Sequence, residues 1–562
     1  FAKRRMANFA LVAVCCIALT KSSSVKPNIV FFFADNLGYS DIGVFGAPSA
    51  KTPNVDRLAI EGIKLNNWNS IAAFCSPSRS ALLTGRYPVR TGTFPNAFPN
   101  DATYGLPANE TTIAEYLKLE GYATSIVGKW HLGQRDQYLP TRRGFDEWFG
   151  LPYEMMGGSF DGHICGVDKN ASRWMPLFYG NRIIEQPANL TNLAPRLALA
   201  ATDFVHRSVK AETPFFLYVA FPHVHQKCPP KQVDCQWASH LFSNQSPHAT
   251  FIENVQEMDW ITGQILASLD KAGIENETLV IWTSDNGPWV SEQRCAGSKG
   301  PFVGQWLLDN VQKSCTACPS GYIQAPLPDR PRRCMYPGTS YEMDGIHCGA
   351  DSGLGSSWEA NVRMPALARW PGRIPAGTES MVQISTLDVL PTLLHISNPA
   401  KPIPSNIDGK NAISVLTLPH VRRDDQPLFF WRDGFGEGPL PQPFGSFKVV
   451  AMKLGRFKAW FWTKSGHYNP DPEVEHEPPL LFDIIADPAE AFPLNSSTSS
   501  YSKIIDRMYT LRDEHVASTG SGVALGYQHD SKYFRCSDPE NHCRTSLAPD
   551  TSFRLANLSD VS

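Results

Sequence analysis

The sequence predicts an α/β fold built on a mostly parallel central sheet, joined to a smaller C-terminal α+β domain with an antiparallel sheet. Two observations carry this expectation. Four short runs, NIVFFFAD, YATSIVGKWH, PFFLYVAFPHVH and TLVIWTSDNG, are rich in β-branched and aromatic residues and lack polar alternation. That is the pattern of strands buried on both faces. Helical segments stand between them, and alternating strands and helices build parallel sheets.

The elements follow in chain order. Residues 1–24 combine a basic start, an apolar run and a polar flank, and read as leader plus secretory signal peptide, with Met6 as the initiator. The apolar run is short for a membrane span, and no other run has spanning length. The first buried strand ends at Asp35. TPNVDRLAIEGIKL reads as a helix with Thr52 as cap, and FCSPSRSALLTGRYP as a polar loop feeding a helix N-terminus. ETTIAEYLKLEG is the next helix, before a strand ending at Lys129 and His131. The third strand ends at His223 and His225, the long helix FIENVQEMDWITGQILASLDKAG stops at Gly273, and the fourth strand ends at Asp285 and Asn286. Residues 294–355, rich in Cys, Pro and Gly, form an insertion, and STLDVLPTLLHIS closes a large domain spanning 25–424. In 425–562, FKVVAMKL and FKAWFWT read as a hairpin, PPLLFDIIADPAEAF as a strand and turn, and SKIIDRMYTLRDEHVAS as an amphipathic helix before a tail.

With 562 residues the chain exceeds one compact core, and a net charge of −3 offers no basic face for nucleic acid. Of 13 cysteines, Cys15 and Cys16 leave with the signal. Setting Cys75 aside leaves an even set, which in a secreted chain reads as disulfides. Cys228/Cys235 and Cys536/Cys543 are spaced for local loops; Cys315 and Cys318 form a C-x-x-C that could bind zinc, although its loop-like setting favours disulfides. Sequons at Asn109, Asn170, Asn189, Asn244, Asn276, Asn495 and Asn557 are candidate glycosylated surface loops.

All four buried strands finish in polar or titratable residues, and ligands of open α/β sheets bind beyond the carboxyl ends of the strands. Four such endings point to one site. Asp35, Asn36, Asp285 and Asn286 offer carboxylate and amide oxygens, which suit a hard divalent ion such as calcium. Arg79 lies one helical turn from Cys75, at a helix N-terminus that favours anions. Lys129 and His131, two apart, would share one face of a strand.

CSPSRSALLTGR resembles the sulfatase signature C-x-P-S-R followed by T-G-R, and GYATSIVGKWHLG resembles the second sulfatase signature. The order of FADNLGYSD, HVH, SDNGP and WEANVRMPALARWPG is similar to that of arylsulfatases, especially the A and G branch. The resemblance implies an alkaline-phosphatase-like large domain and hydrolysis of sulfate esters. It implies that Cys75 is oxidised to formylglycine by the formylglycine-generating enzyme of the endoplasmic reticulum, and that its hydrate attacks sulfur. Arg79 and Lys129 then hold the hydrate and sulfate, His131 is the base for sulfate release, and His225 lies near the leaving group. Residue 75 joins Asp35, Asn36, Asp285 and Asn286 around one Ca2+. The substrate would be a sulfate-ester small molecule or a sulfated glycan or glycolipid, and the protein lysosomal or extracellular.

Three positions depart from the family pattern. Asn36 stands where a second aspartate is usual, so metal binding should weaken. Leu354 stands where the family places a lysine that binds sulfate, and residues 314–400 contain no lysine, leaving Lys299 or Arg363 as spatial substitutes. Glu154 replaces a small polar residue, and a carboxylate there would repel sulfate. These departures keep two alternatives open: a catalytically impaired pseudo-sulfatase used for binding, and a related phosphatase or phosphodiesterase.

Overall fold

The computed structural model describes residues 26–47, 49–155, 159–160, 163–164, 174–226, 236–242, 250–290, 295–311, 323–324, 333–335, 346–347, 351–418, 420–421, 423, 426–432, 447–466, 473–519, 525, 530–538, 543 and 545–546. The signal segment, Cys228/Cys235, the C-x-x-C at 315 and 318, and the sequons at 170, 244 and 557 lie outside the described residues. Among the described sequons, Asn109, Asn276 and Asn495 are exposed and Asn189 is half-buried.

The elements in chain order are β1 (Asn28–Ala34), α1 (Pro53–Ile60), β2 (Ile63–Leu65), α2 (Cys75–Thr84), α3 (Ile113–Leu119), β3 (Ala123–Lys129), β4 (Glu147–Leu151), β5 (Leu177–Tyr179) and β6 (Arg182–Gln186). They continue with α4 (Leu193–Lys210), β7 (Phe215–Ala220), α5 (Phe251–Ala272), β8 (Thr278–Ser284), β9 (Leu367–Arg369), β10 (Thr378–Ser380) and α6 (Val389–Ser397). The C-terminal elements are β11 (Leu428–Arg432), β12 (Lys448–Leu454), β13 (Phe457–Thr463), β14 (Val474–Asp483), α7 (Ser499–Thr519) and β15 (Thr545–Ser546).

One eleven-stranded sheet runs in the order β10-β2-β9-β8-β1-β7-β3-β4-β5-β6-β15. Its centre, β8-β1-β7-β3-β4, is parallel throughout. Most flanking pairs are antiparallel, and β10 pairs with β2 in parallel. The four apolar runs are β1, β3, β7 and β8 of this centre, and β1, β7 and β8 are buried at every position. Apolar clusters cover both faces of the sheet, Phe32 on one and Phe31 and Phe33 on the other, as alternation along a doubly covered strand requires. Because β1 has β7 on one side and β8 on the other, the chain reverses its winding at β1. This leaves a crevice beyond the strand ends.

The helix boundaries have local causes. Thr250 and Glu253 form a capping box that starts α5, and Gly273, at φ 68°, ends it. Thr112 and Glu115 do the same at the start of α3. One expectation is corrected. The helical pattern from Thr52 stops at Ile60, and IKL pairs with β9 as β2. Backbone pairing at the sheet outweighs helical periodicity there, because β9 and β10 on either side satisfy the peptide groups of β2.

The C-terminal strands form a separate antiparallel sheet, β11-β12-β13-β14. The link between β12 and β13 is Gly455-Arg456, with Gly455 at φ 60°, which suits a two-residue hairpin. Helix α7 packs on this sheet, where His515 stacks on Phe429 at 3.9 Å between ring centroids.

Candidate active site

Helix α2 begins on Cys75 itself, and all ten of its residues are buried. Cys75 is a free thiol. Its Sγ lies 3.3 Å from Asp35 Oδ1 and 3.9 Å from Asn36 Oδ1. One turn on, Arg79 donates to Asp285 Oδ2 through Nε at 3.1 Å and Nη2 at 2.8 Å, and to the Lys129 carbonyl through Nη1 at 3.1 Å. Lys129, the last residue of β3, puts Nζ 2.6 Å from Asp35 Oδ2. The ends of β1, β3 and β8 and the start of α2 therefore share one fully buried charge cluster.

Burial raises Asp35, but Lys129, His225 and Arg79 outweigh it and hold the carboxyl well below its usual range. Asp285 moves the other way, to about 6, because it is buried beside the charged Asp35. Burial and the Asp35 charge push the Cys75 thiol well up, so it stays protonated and donates to Asp35. An unmodified thiolate nucleophile does not fit this field, since thiolates form in electropositive surroundings.

His225 follows β7. Its Nδ1 lies 2.8 Å from the Gln226 carbonyl, and burial brings its pKa down to about 4. His131 reaches the site in a way that differs from the strand-face expectation. β3 ends at Lys129, and His131 has φ 57°, outside the strand. Its Nε2 lies 2.9 Å from the Phe98 carbonyl, while Nδ1 is buried without a partner among the described residues.

Asp35, Cys75 and Asp285 present donor atoms all within 4.8 Å of one another. Asn286 Nδ2 donates to Asn36 Oδ1 at 2.6 Å, and among the described residues Asn286 Oδ1 and Asn36 Nδ2 are buried and unpaired. A cation would satisfy the Asn286 oxygen but not the Asn36 amide donor, and the two carboxylates are close enough to share it. The residues fit a hard divalent cation.

Leu354 does sit at the site wall. Its N–H donates to the Pro288 carbonyl at 3.1 Å and that of Gly355 to the Ala73 carbonyl at 3.2 Å, so this loop is tied between the Cys75 and Asn286 loops. The Leu354 side chain packs against Phe74 and Trp289. The spatial substitutes are engaged elsewhere. Arg363 bonds Glu359 and the Asn66 carbonyl, and Lys299 bonds Ser352 and the Val303 carbonyl. The sequence reading missed the Phe98 carbonyl and the Phe74–Trp289 wall. A backbone acceptor leaves no mark in a sequence, and a lone aromatic reads first as core.

A family model described as Sulfatase matches residues 27–398, and one described as C-terminal region of aryl-sulfatase matches 423–544. The chain belongs to the sulfatase family. Human arylsulfatase G is 32% identical over 96% of both chains, and human arylsulfatase A is 32% identical over 83% of both. Dog N-acetylgalactosamine-6-sulfatase is 31% identical over 87% of this chain and 85% of its own. The PsFucS1 sulfatase structure from Pseudoalteromonas has the same fold, with a TM-score of 0.67 at 23% identity, covering 88% of this sulfatase and 91% of that chain. Membership makes the chain a sulfuric ester hydrolase of arylsulfatase type. The Cys536–Cys543 disulfide closes the local loop expected from its spacing, and no helix among the described residues is long and apolar enough to cross a membrane.

Proposed function

We propose that this sulfatase cleaves sulfate esters with residue 75 as formylglycine and one divalent ion, calcium by donor chemistry, at Asp35, Asn36, Asp285, Asn286 and residue 75. The reading rests on one observation: a buried, free Cys75 3.3 Å from Asp35, in a site shared with Arg79 and Lys129. Formylglycine at residue 75 would supply, as its hydrate, two hydroxyl groups, and the ion held by Asp35, Asn36, Asp285 and Asn286 would supply positive charge to the sulfate oxygens. Arg79, fixed by Asp285 and the Lys129 carbonyl, orients residue 75. Lys129 adds a cation against the sulfate. His131 takes the proton that frees sulfate, and His225, whose Nδ1 proton goes to the Gln226 carbonyl, donates toward the leaving oxygen from Nε2 only as the imidazolium.

The apolar wall of Phe74, Trp289 and Leu354 favours aryl sulfates among the sulfated small molecules, glycans and glycolipids open to the family. The reading also implies passage through the secretory pathway, where the formylglycine-generating enzyme acts, to a lysosomal or extracellular destination. Mass spectrometry of the peptide containing residue 75, from active protein secreted by a eukaryotic host, tests the reading. An aldehyde at residue 75 is expected. Active protein carrying only the thiol, or a disulfide at Cys75, would overturn it.

A further inference from the structure

The Glu154 carboxylate, out of place in the family pattern, has a partner. Its Oε2 lies 3.4 Å from His131 Nε2, and its side chain is 12% exposed. The contact is built in by the backbone. The N–H groups of Trp130 and His131 donate to the Leu151 and Pro152 carbonyls at 2.9 and 3.0 Å. This zips the His131 turn to the stretch after β4 and holds Glu154 in register with the ring. A hydrogen bond from the Asn100 side chain fixes the carboxylate further.

The Phe98 carbonyl, 2.9 Å from Nε2, can only accept, so the ring proton of neutral His131 sits on Nε2. Nδ1 is then the open nitrogen, and it is buried without a partner among the described residues. Protonating it puts a cation among Lys129 on β3 and Arg79 on α2. Burial and these two cations oppose that charge, and Asp35 from β1 favours it. Glu154 is the carboxylate in contact with the ring itself.

We propose that Glu154 is a positioning residue for the base: with the Phe98 carbonyl it keeps the His131 proton on Nε2, and it pairs the imidazolium formed when Nδ1 takes a proton from the reacting hydroxyl. The proton then passes from Nδ1 to solvent, and neutral His131 is restored. This rests on the reading of His131 as the base for sulfate release. A carboxylate that would repel substrate sulfate thus serves to balance the base.

The first test needs no modified enzyme. In unmodified Cys75 protein with isotope-labelled histidine, the His131 signal is assigned by its loss in His131→Asn. NMR should show the Nε2–H tautomer. Glu154→Gln should lower the His131 pKa by about one unit or more, because removing a negative partner disfavours the imidazolium, and Glu154→Asp should keep most of the wild-type value. An Nδ1–H tautomer, or the same titration in wild type and Glu154→Gln, overturns the proposal. In modified enzyme, Glu154→Gln should lower kcat roughly tenfold with KM within about twofold and move the acid limb of the pH profile down. The same loss on a His131→Asn background overturns the proposal too. Should Glu154→Gln not fold, Glu154→Ala gives the same comparison. If modified wild type hydrolyses no sulfate ester, the proposed function fails, while the NMR comparison still decides the Glu154–His131 pairing.

Discussion

Under the proposed function, a single side chain, Leu354, bears on which sulfate esters the site cleaves best. It is 5% exposed and packs on Phe74 and Trp289, so this position of the described wall offers no ammonium to the proposed leaving oxygen. Losing one preorganised donor costs about 100- to 1000-fold in rate. The loss weighs least on phenolates, which leave readily, and most on alkyl and sugar alkoxides. Modified enzyme should therefore cleave aryl sulfates at mildly acidic pH with a steep dependence on leaving-group pKa. Leu354→Lys should flatten that dependence, speeding poor leaving groups more than good ones. Rates on a series of substituted phenyl sulfates measure both slopes. Equal slopes would mean that another cation already serves the leaving oxygen, and no activity on any of the series would favour the binding-only reading.

Among the elements, the loops beyond β1 and β8 carry the oxygen donors, and their order next to the chain's reversal brings Asp35 and Asp285 together. In the proposed calcium site, Asp285, pushed up to about 6 by burial and Asp35, would hold at acid pH a proton that the ion displaces. Calcium affinity should accordingly weaken below about pH 6, by at most about tenfold per pH unit for one displaced proton. It should be nearly constant above that pH, where Asp285 is already ionised. At a calcium concentration one hundred times Kd, ligand linkage should stabilise the fold by about 2.7 kcal/mol. Calorimetric titration and thermal unfolding at several pH values check both. Asp285→Asn should abolish the pH dependence while weakening binding, and a pH-independent affinity in wild type would exclude Asp285 as a ligand that gives up a proton.

Across the whole molecule, the C-terminal sheet is joined to the site-bearing sheet by buried charge. Glu359, on the turn after Leu354, accepts from Lys453 Nζ at 2.9 Å, Lys458 Nζ at 3.0 Å and Arg363 Nε at 2.9 Å. Lys458 also lies 3.0 Å from Glu490 Oε1, and the Glu359 N–H donates to Glu490 Oε2 at 2.8 Å. All five side chains are essentially inaccessible to solvent. Removing the Glu359 charge leaves Lys453, Lys458 and Arg363 against Glu490 alone, so Glu359→Gln should destabilise the protein by about 3–5 kcal/mol. Because Glu359 anchors the turn that carries Leu354, the same variant should lower activity as well. Urea unfolding and aryl sulfate turnover read the two effects. A loss below about 1 kcal/mol would mean that the cluster relaxes or admits water.

Much of this was legible in the sequence. Buried parallel strands have an unmistakable composition, and their polar ends named Asp35, Lys129, His225 and Asp285 before any coordinates. Cys75 and Arg79, one turn apart, needed only helical geometry and a motif to be placed in the site. The path of His131 needed the structure, because a left-handed turn after β3 replaced the strand alternation that seemed to aim it. The fate of Leu354 also needed it: only the fold could tell whether Lys299 or Arg363 fills the gap, and both are bound elsewhere. Glu154 was visible as a misplaced charge, but its sign of effect was not. A carboxylate repels sulfate or supports a base according to which atom it faces. That depends on two backbone hydrogen bonds between segments about 20 residues apart, a relation that no local pattern encodes.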